Sequence, residues 1–79
     1  MEIKILGKGC AKCKALEANV LEAIKELGVE AKIEKVTDVN KIAEYNVMMT
    51  PGLVINNKVK SFGKVATREE IKKFIQEEL

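Results

Sequence analysis

Ile3-Lys4-Ile5-Leu6-Gly7-Lys8-Gly9-Cys10-Ala11-Lys12-Cys13-Lys14-Ala15-Leu16 contains the change of hydrophobic period that sets the fold. Ile3, Ile5 and Leu6 form the short apolar run of a buried strand, and Gly7 and Gly9 end it. From Cys10 to Leu27 the period changes. Cys13, Leu16, Val20, Ile24 and Leu27 recur at helical spacing and make one apolar stripe. Gly28 follows as a natural C′ residue, where a left-handed backbone closes a helix. The two cysteines therefore fall where a glycine-bounded loop becomes a helix.

Working outward, Val29, Ala31 and Ile33 alternate with charged residues and predict a second strand with one covered face. Asp38 suits an N-cap, and Val39, Ile42, Ala43 and Tyr45 predict a short helix ending near Asn46. Leu53–Ile55 and Val59–Phe62 flank Asn56-Asn57, a pair that tolerates the positive φ of a tight hairpin. Thr67-Arg68-Glu69-Glu70 reads as a capping box, with Ile71, Phe74 and Ile75 on the inner face of a last helix. The order strand, helix, strand, helix, hairpin, helix predicts an α/β fold: a four-stranded mixed sheet covered by three helices, with two strand–helix–strand crossovers.

The chain has 79 residues, which predicts a single domain over 1–79 with a modest stability margin. Its net charge is +2, and its 13 lysines and 11 glutamates interleave along the sequence. That is a solvated mixed surface, not a nucleic-acid footprint. One arginine, one tyrosine, two phenylalanines and no tryptophan also leave little for base stacking or guanine reading. No stretch is long and apolar enough to span a membrane or serve as a signal-peptide core, so a cytoplasmic monomer is expected. In that compartment a pair of cysteines points to redox or metal chemistry more than to a structural staple.

Placement gives Cys10-Ala11-Lys12-Cys13 its meaning. The first turn of a helix offers unpaired N–H groups and the positive end of the dipole, which favour a thiolate. Cys10 at the cap should be exposed, whereas Cys13 begins the buried stripe. Such an arrangement separates an accessible attacking thiol from a shielded resolving one. Lys8, Lys12 and Lys14 add positive charge that would tune the thiols, though so many lysines make a local cluster of them only a mild excess. Pro51, the only proline, must sit at the start of a strand instead of inside a central ladder. On the residues alone a trans bond is expected, because only about 5–6% of X-Pro bonds are cis. Tyr45, Met48 and Met49 lie beside it; for the methionines, loop and core filling by adaptable side chains is the expectation over a recognition surface.

Leu6 to Cys13 with its helix, then Ala43-Glu44-Tyr45-Asn46-Val47, then Thr50-Pro51-Gly52-Leu53-Val54-Ile55, together resemble the thioredoxin superfamily. The resemblance extends over essentially the whole chain and is strongest to its small, glutaredoxin-like redox-active disulfide proteins. It implies a dithiol–disulfide oxidoreductase whose only redox group is the Cys10–Cys13 disulfide, with no added cofactor or metal. It also implies a cis Pro51 packed against the two sulfurs, and a Thr50 backbone that pairs with a bound substrate strand. Partners would be protein disulfides and an upstream reductase. Gly9 replaces the tryptophan usual before the first cysteine, and Ala11-Lys12 replaces the usual Gly-Pro. No aspartate precedes Asp38, so the carboxylate that usually helps the resolving thiol has no evident counterpart. Gly63-Lys64-Val65-Ala66-Thr67 stands where glutaredoxins carry a glycine pair and an acidic residue for glutathione.

A soft-metal binding or chaperone module is the alternative, since two thiolates suit a monovalent soft ion. Lys8 stands where such domains carry a methionine, and the helix expected after Asp38 interrupts their usual strand-to-hairpin order. A closed zinc site lacks a histidine and a third cysteine.

Overall fold

A computed structural model describes the whole chain, Met1–Leu79. The elements are β1 (Glu2–Leu6), α1 (Ala11–Leu27), β2 (Lys32–Val36), α2 (Val39–Glu44), β3 (Gly52–Ile55), β4 (Lys58–Phe62) and α3 (Arg68–Glu77). The four strands form one sheet in the order β2-β1-β3-β4. Strand β1 runs parallel to β2 and antiparallel to β3, and β4 is antiparallel to β3. This is the four-stranded mixed sheet with three helices that the order of elements predicts, and the α/β architecture that the thioredoxin resemblance implies.

Alternation along the two central strands divides the core. Ile3 and Ile5 of β1 and Leu53 and Ile55 of β3 pack with Leu16, Val20 and Ala23 of α1 and Ile71 and Ile75 of α3. Leu6 and Val54 point the other way and pack with Val36, Ile42 and Val47 on the α2 side. Each fully buried Leu, Ile or Val contributes about 1.5–3 kcal/mol by leaving water. Helix α1 ends as its sequence indicates: Gly28 takes φ 64° and its N–H returns to the Ile24 carbonyl. Between the helices, the Asn19 side chain donates to the Ala66 carbonyl at 3.0 Å and Arg68 meets Glu26 at 2.9 Å.

Two expectations shift. The second strand begins at Lys32 instead of Val29, because it is fixed by its parallel register, Glu2 opposite Lys32 through Leu6 opposite Val36. Val29 and Ala31 still pack on the core, but from the connection that precedes the ladder. The second strand–helix–strand connection is also not a parallel crossover. Val36 and Gly52 both lie level with Leu6, so the chain leaves and re-enters at the same end of the sheet. A helix of 6 residues, about 9 Å long, suffices for that excursion. It is capped by Asp38, whose carboxylate accepts from the Asn40 N–H, and Asn46 leaves it at φ 59°.

The hairpin turns at Asn56 and Asn57, both at positive φ. A bulge then sets Leu53 opposite Ser61 and Val54 opposite Val59, so Lys60 has no partner in the ladder. Its ammonium instead meets Glu77 at 3.0 Å and Glu78 at 2.8 Å, tying β4 to the end of α3.

The α3 capping box is complete: Thr67 Oγ1 accepts from the Glu70 N–H and Glu70 accepts from the Thr67 N–H. The Lys64 ammonium, 2.7 Å from Glu70, together with that N–H lowers the Glu70 carboxyl to about 2. A carboxyl depressed on folding stabilises above its unfolded value of 4.5, and loses that stabilisation as pH falls towards about 2. Glu70→Gln should therefore be less stable than wild type at neutral pH, with the two converging through this acid window. Denaturant midpoints measured across pH check this.

Candidate active site

The site forms where β1 ends between β2 and β3. Gly7 continues from Leu6 and its N–H donates to the Val36 carbonyl at 2.9 Å, so the loop stays attached to the sheet for one further residue. Gly9, at φ 81°, turns the chain into α1. Cys10 is the N-cap, with extended backbone, and its carbonyl accepts the first helical bond from Lys14 at 3.0 Å.

Both sulfurs are free thiols, Cys10 exposed and Cys13 5% exposed, with Sγ atoms 2.9 Å apart. Two residues of one type thus acquire opposite tendencies. The side-chain hydrogen bond with Cys13 holds the Cys10 thiol below the ordinary value, with the Cys13 backbone N–H adding to this. Burial pushes the Cys13 thiol up, and its bond to Cys10 pushes the same way. The pair therefore keeps its proton preferentially on the buried sulfur, and the exposed one is the more readily ionised.

Gly7 has a role beyond ending a strand. A Cβ there would run into Cys13 Sγ, so the buried sulfur lies directly on the Gly7 backbone. The same position would be 3.7 Å from Thr50 Cβ, which places Thr50 on the loop beside the buried sulfur. Thr50 is exposed, Pro51 is buried, and the bond between them is cis. The Pro51 carbonyl accepts from Gly63 at 2.9 Å, whereas the Thr50 N–H and carbonyl make no hydrogen bond within the chain.

The lysines are spread around the loop: Lys8, Lys12 and Lys14 are all exposed, and Lys14 lines a cleft beside Cys13. Glu17, Lys35 and Thr37 line it too. Helical spacing offered a signal for Glu17, four residues after Cys13. Lys35 and Thr37 arrive through the parallel register of β2, which no local pattern reveals.

The methionines do not fill the core. Met48 is 92% and Met49 59% exposed, because the connection from α2 turns its apolar grip inward through Val47 and Pro51 instead. Met49 lies over Gly63, and Phe62, paired with Gly52, is 53% exposed on the adjoining strand. Tyr45 packs on the α2-side core and its hydroxyl accepts from the Lys4 ammonium at 2.9 Å. Beyond the two thiols, no three His, Cys, Asp or Glu side chains come together as a metal-ligand group.

Residues 1–76 match the family described as thioredoxin domain. A protein described as thioredoxin from Methanothermobacter thermautotrophicus is 45% identical over 75 residues, 95% of this chain and 97% of that protein. Another so described, from Methanocaldococcus jannaschii, is 49% identical over 70 residues, 89% of this chain and 80% of that protein.

Gly7→Ala tests how tightly the loop holds the buried sulfur. The added methyl must displace Cys13 or the loop, so unfolding in denaturant should show a loss of about 1–3 kcal/mol. Ordinary surface substitution would leave the midpoint nearly unchanged.

Proposed function

This chain belongs to the thioredoxin-domain family, and we propose that its thiol–disulfide chemistry uses Cys10 as attacking thiolate and Cys13 as resolving thiol. The observation that carries this reading is the asymmetry of the pair: touching sulfurs, one exposed and held low, the other buried and pushed up.

Cys10 Sγ⁻ attacks one sulfur of a substrate disulfide. That S–S bond breaks, and the departing sulfur leaves as a thiolate. Cys10 is now joined to the substrate by a mixed disulfide. Cys13 then gives up its proton and attacks Cys10 Sγ, expelling the second substrate thiolate and closing the Cys10–Cys13 bond. Two electrons have passed from the dithiol to the substrate, and an upstream reductase must return them.

Protein disulfides are the substrates this surface suits. The free backbone N–H and carbonyl of Thr50 can pair with an extended strand, as in β-strand addition. Met48, Met49 and Phe62 offer exposed, adaptable apolar contact on the Pro51 side. We read the glutaredoxin likeness as one of size, with protein disulfides in place of glutathione. The Cys10–Cys13 disulfide is then the only redox group, and one chain supplies the whole site, so a monomer suffices. A reducing, cytoplasmic setting suits a chain whose only cysteines are this pair. The soft-metal chaperone alternative is not favoured by the family the chain belongs to.

Paired serine variants test the roles. Cys10→Ser should abolish reduction of a protein disulfide. Cys13→Ser should complete the first step and stall, accumulating an adduct that dithiothreitol releases. Mass spectrometry of the reaction reads both outcomes. An active wild type with no adduct in Cys13→Ser would overturn the assignment.

A further inference from the structure

Carboxylates are absent from both segments that form the site. Residues 3–16, which carry β1, the loop and the start of α1, contain no Asp or Glu. Neither do residues 45–68, which carry Met48, Met49, Thr50–Pro51 and the hairpin. All 12 Asp and Glu residues lie in the rest of the chain. In the first segment Lys8, Lys12 and Lys14 are exposed and take part in none of the chain's ion pairs. Resting on the reading of Cys10 as attacking thiolate, we propose that these three lysines make a docking surface for protein disulfides flanked by acidic residues, so that the site selects acidic substrate proteins.

Proximity makes the three act as one field. Lys8 and Lys12 are each two residues from Cys10, so their Cα atoms lie within about 7 Å of its own. Lys14 is one helical turn on, its N–H donating to the Cys10 carbonyl at 3.0 Å. Such separations fall inside the Debye length of about 8–10 Å at moderate salt, so the charges reinforce one another and the positive end of α1. No acidic residue occupies the first turn of that helix to offset them.

Charged groups on the neighbouring elements do not cancel this field. Glu17 is the first carboxylate on α1, and Lys35 neutralises it at 3.1 Å. Asp38 follows β2 two residues beyond Val36, and its carboxylate accepts the Asn40 N–H at the start of α2. That single charge opposes three lysines. On the hairpin side Lys64 is paired with Glu70 at 2.7 Å. Glu44 shares a separate cleft with Lys4 and Lys41 on the α2 side. Nor do the lysines chiefly set the thiol. Cys10 is held low first by its hydrogen bond with Cys13 and next by the Cys13 backbone N–H, ahead of any lysine.

The other flank of the site, from Tyr45 to Ile55, carries no charge at all, and Met48 and Met49 are exposed on it. An incoming disulfide therefore meets cations on its α1 side and apolar side chains on its Pro51 side. The complementary partner is acidic on the first flank and apolar on the second.

Two model peptides test this, each closed by one disulfide, one with Glu and the other with Lys beside its cysteines. Acidic neighbours raise the pKa of a departing thiol and repel a free thiolate, so dithiothreitol should reduce the acidic peptide more slowly. The protein should reverse that order, reducing the acidic peptide at least about tenfold faster than the basic one at low ionic strength. Its preference should fall away towards about 1 M salt, where the Debye length is about 3 Å. The triple variant Lys8→Gln, Lys12→Gln, Lys14→Gln should lose most of the preference. The ratio of the two rates is the readout, because a change in folding or in Cys10 reactivity moves both peptides together. A wild-type ratio equal to that of dithiothreitol, or a ratio unchanged in the triple variant, overturns the proposal. A Cys10→Ser protein that still reduces both peptides overturns instead the attacking role of Cys10, which distinguishes the two failures.

Discussion

Leu6 lies in the sheet with Val36 on one side and Gly52 on the other, and the site depends on that register. Three chain segments end or begin at this level: the loop leading to Cys10, the segment following β2, and the cis Thr50–Pro51 entrance to β3. Hydrogen bonds between strands hold them level, and the Leu6 side chain fixes them on the α2 face. The fit there is close. A Cβ on Gly52 would lie 3.2 Å from Leu6 Cδ1 and 3.4 Å from Val47 Cγ1, so glycine is what lets β3 enter beside Leu6. Moving any one strand by a residue would invert its side chains and separate the sulfurs from Thr50.

The same ladder explains how a small chain supports a rigid site. Strands β1 and β3 are covered on both faces, and α1 packs against the sheet and against α3 through Leu16, Val20 and Ala23. Helix α1 is therefore anchored along its length, while its N-terminus projects past the sheet end. Cys13 shares the buried stripe of that helix and inherits its fixed position. Cys10, one turn earlier and outside the packing, inherits exposure. The chemical difference between two identical side chains is thus a difference in packing, converted by desolvation and one S–H···S contact into different affinities for a proton.

Charge is handled differently near the site and away from it. Most ion pairs, such as Lys64 with Glu70 or Arg68 with Glu26, lie on exposed surface and steady helix ends and faces. Such pairs contribute little individually. Glu17 with Lys35 differs in place more than in strength: it borders the cleft of the buried thiol. Glu17 keeps a fixed relation to Cys13, because both ride on the same helix.

Much of this was legible in the residues themselves. Periodicity located the strands and helices, Gly28 and the Thr67–Glu70 box marked helix ends, and Asn56-Asn57 marked the hairpin, because each depends on local backbone geometry. The helix stripe alone also placed Cys10 outside and Cys13 inside. Local pattern failed where pairing decides: β2 starts at Lys32, not Val29, since its limits are set by β1. It failed again at Met48 and Met49, whose apolar character suggests burial while the space is already filled by Val47 and Pro51. Gly7 under the Cys13 sulfur, and Lys35 beside Glu17, join segments distant in sequence. The sequence by itself determined which elements form and which thiol faces water, because those follow from short-range periodicity. Only the tertiary structure decided what lies within reach of the buried sulfur, because strand register and helix packing, not sequence spacing, set distances across the sheet.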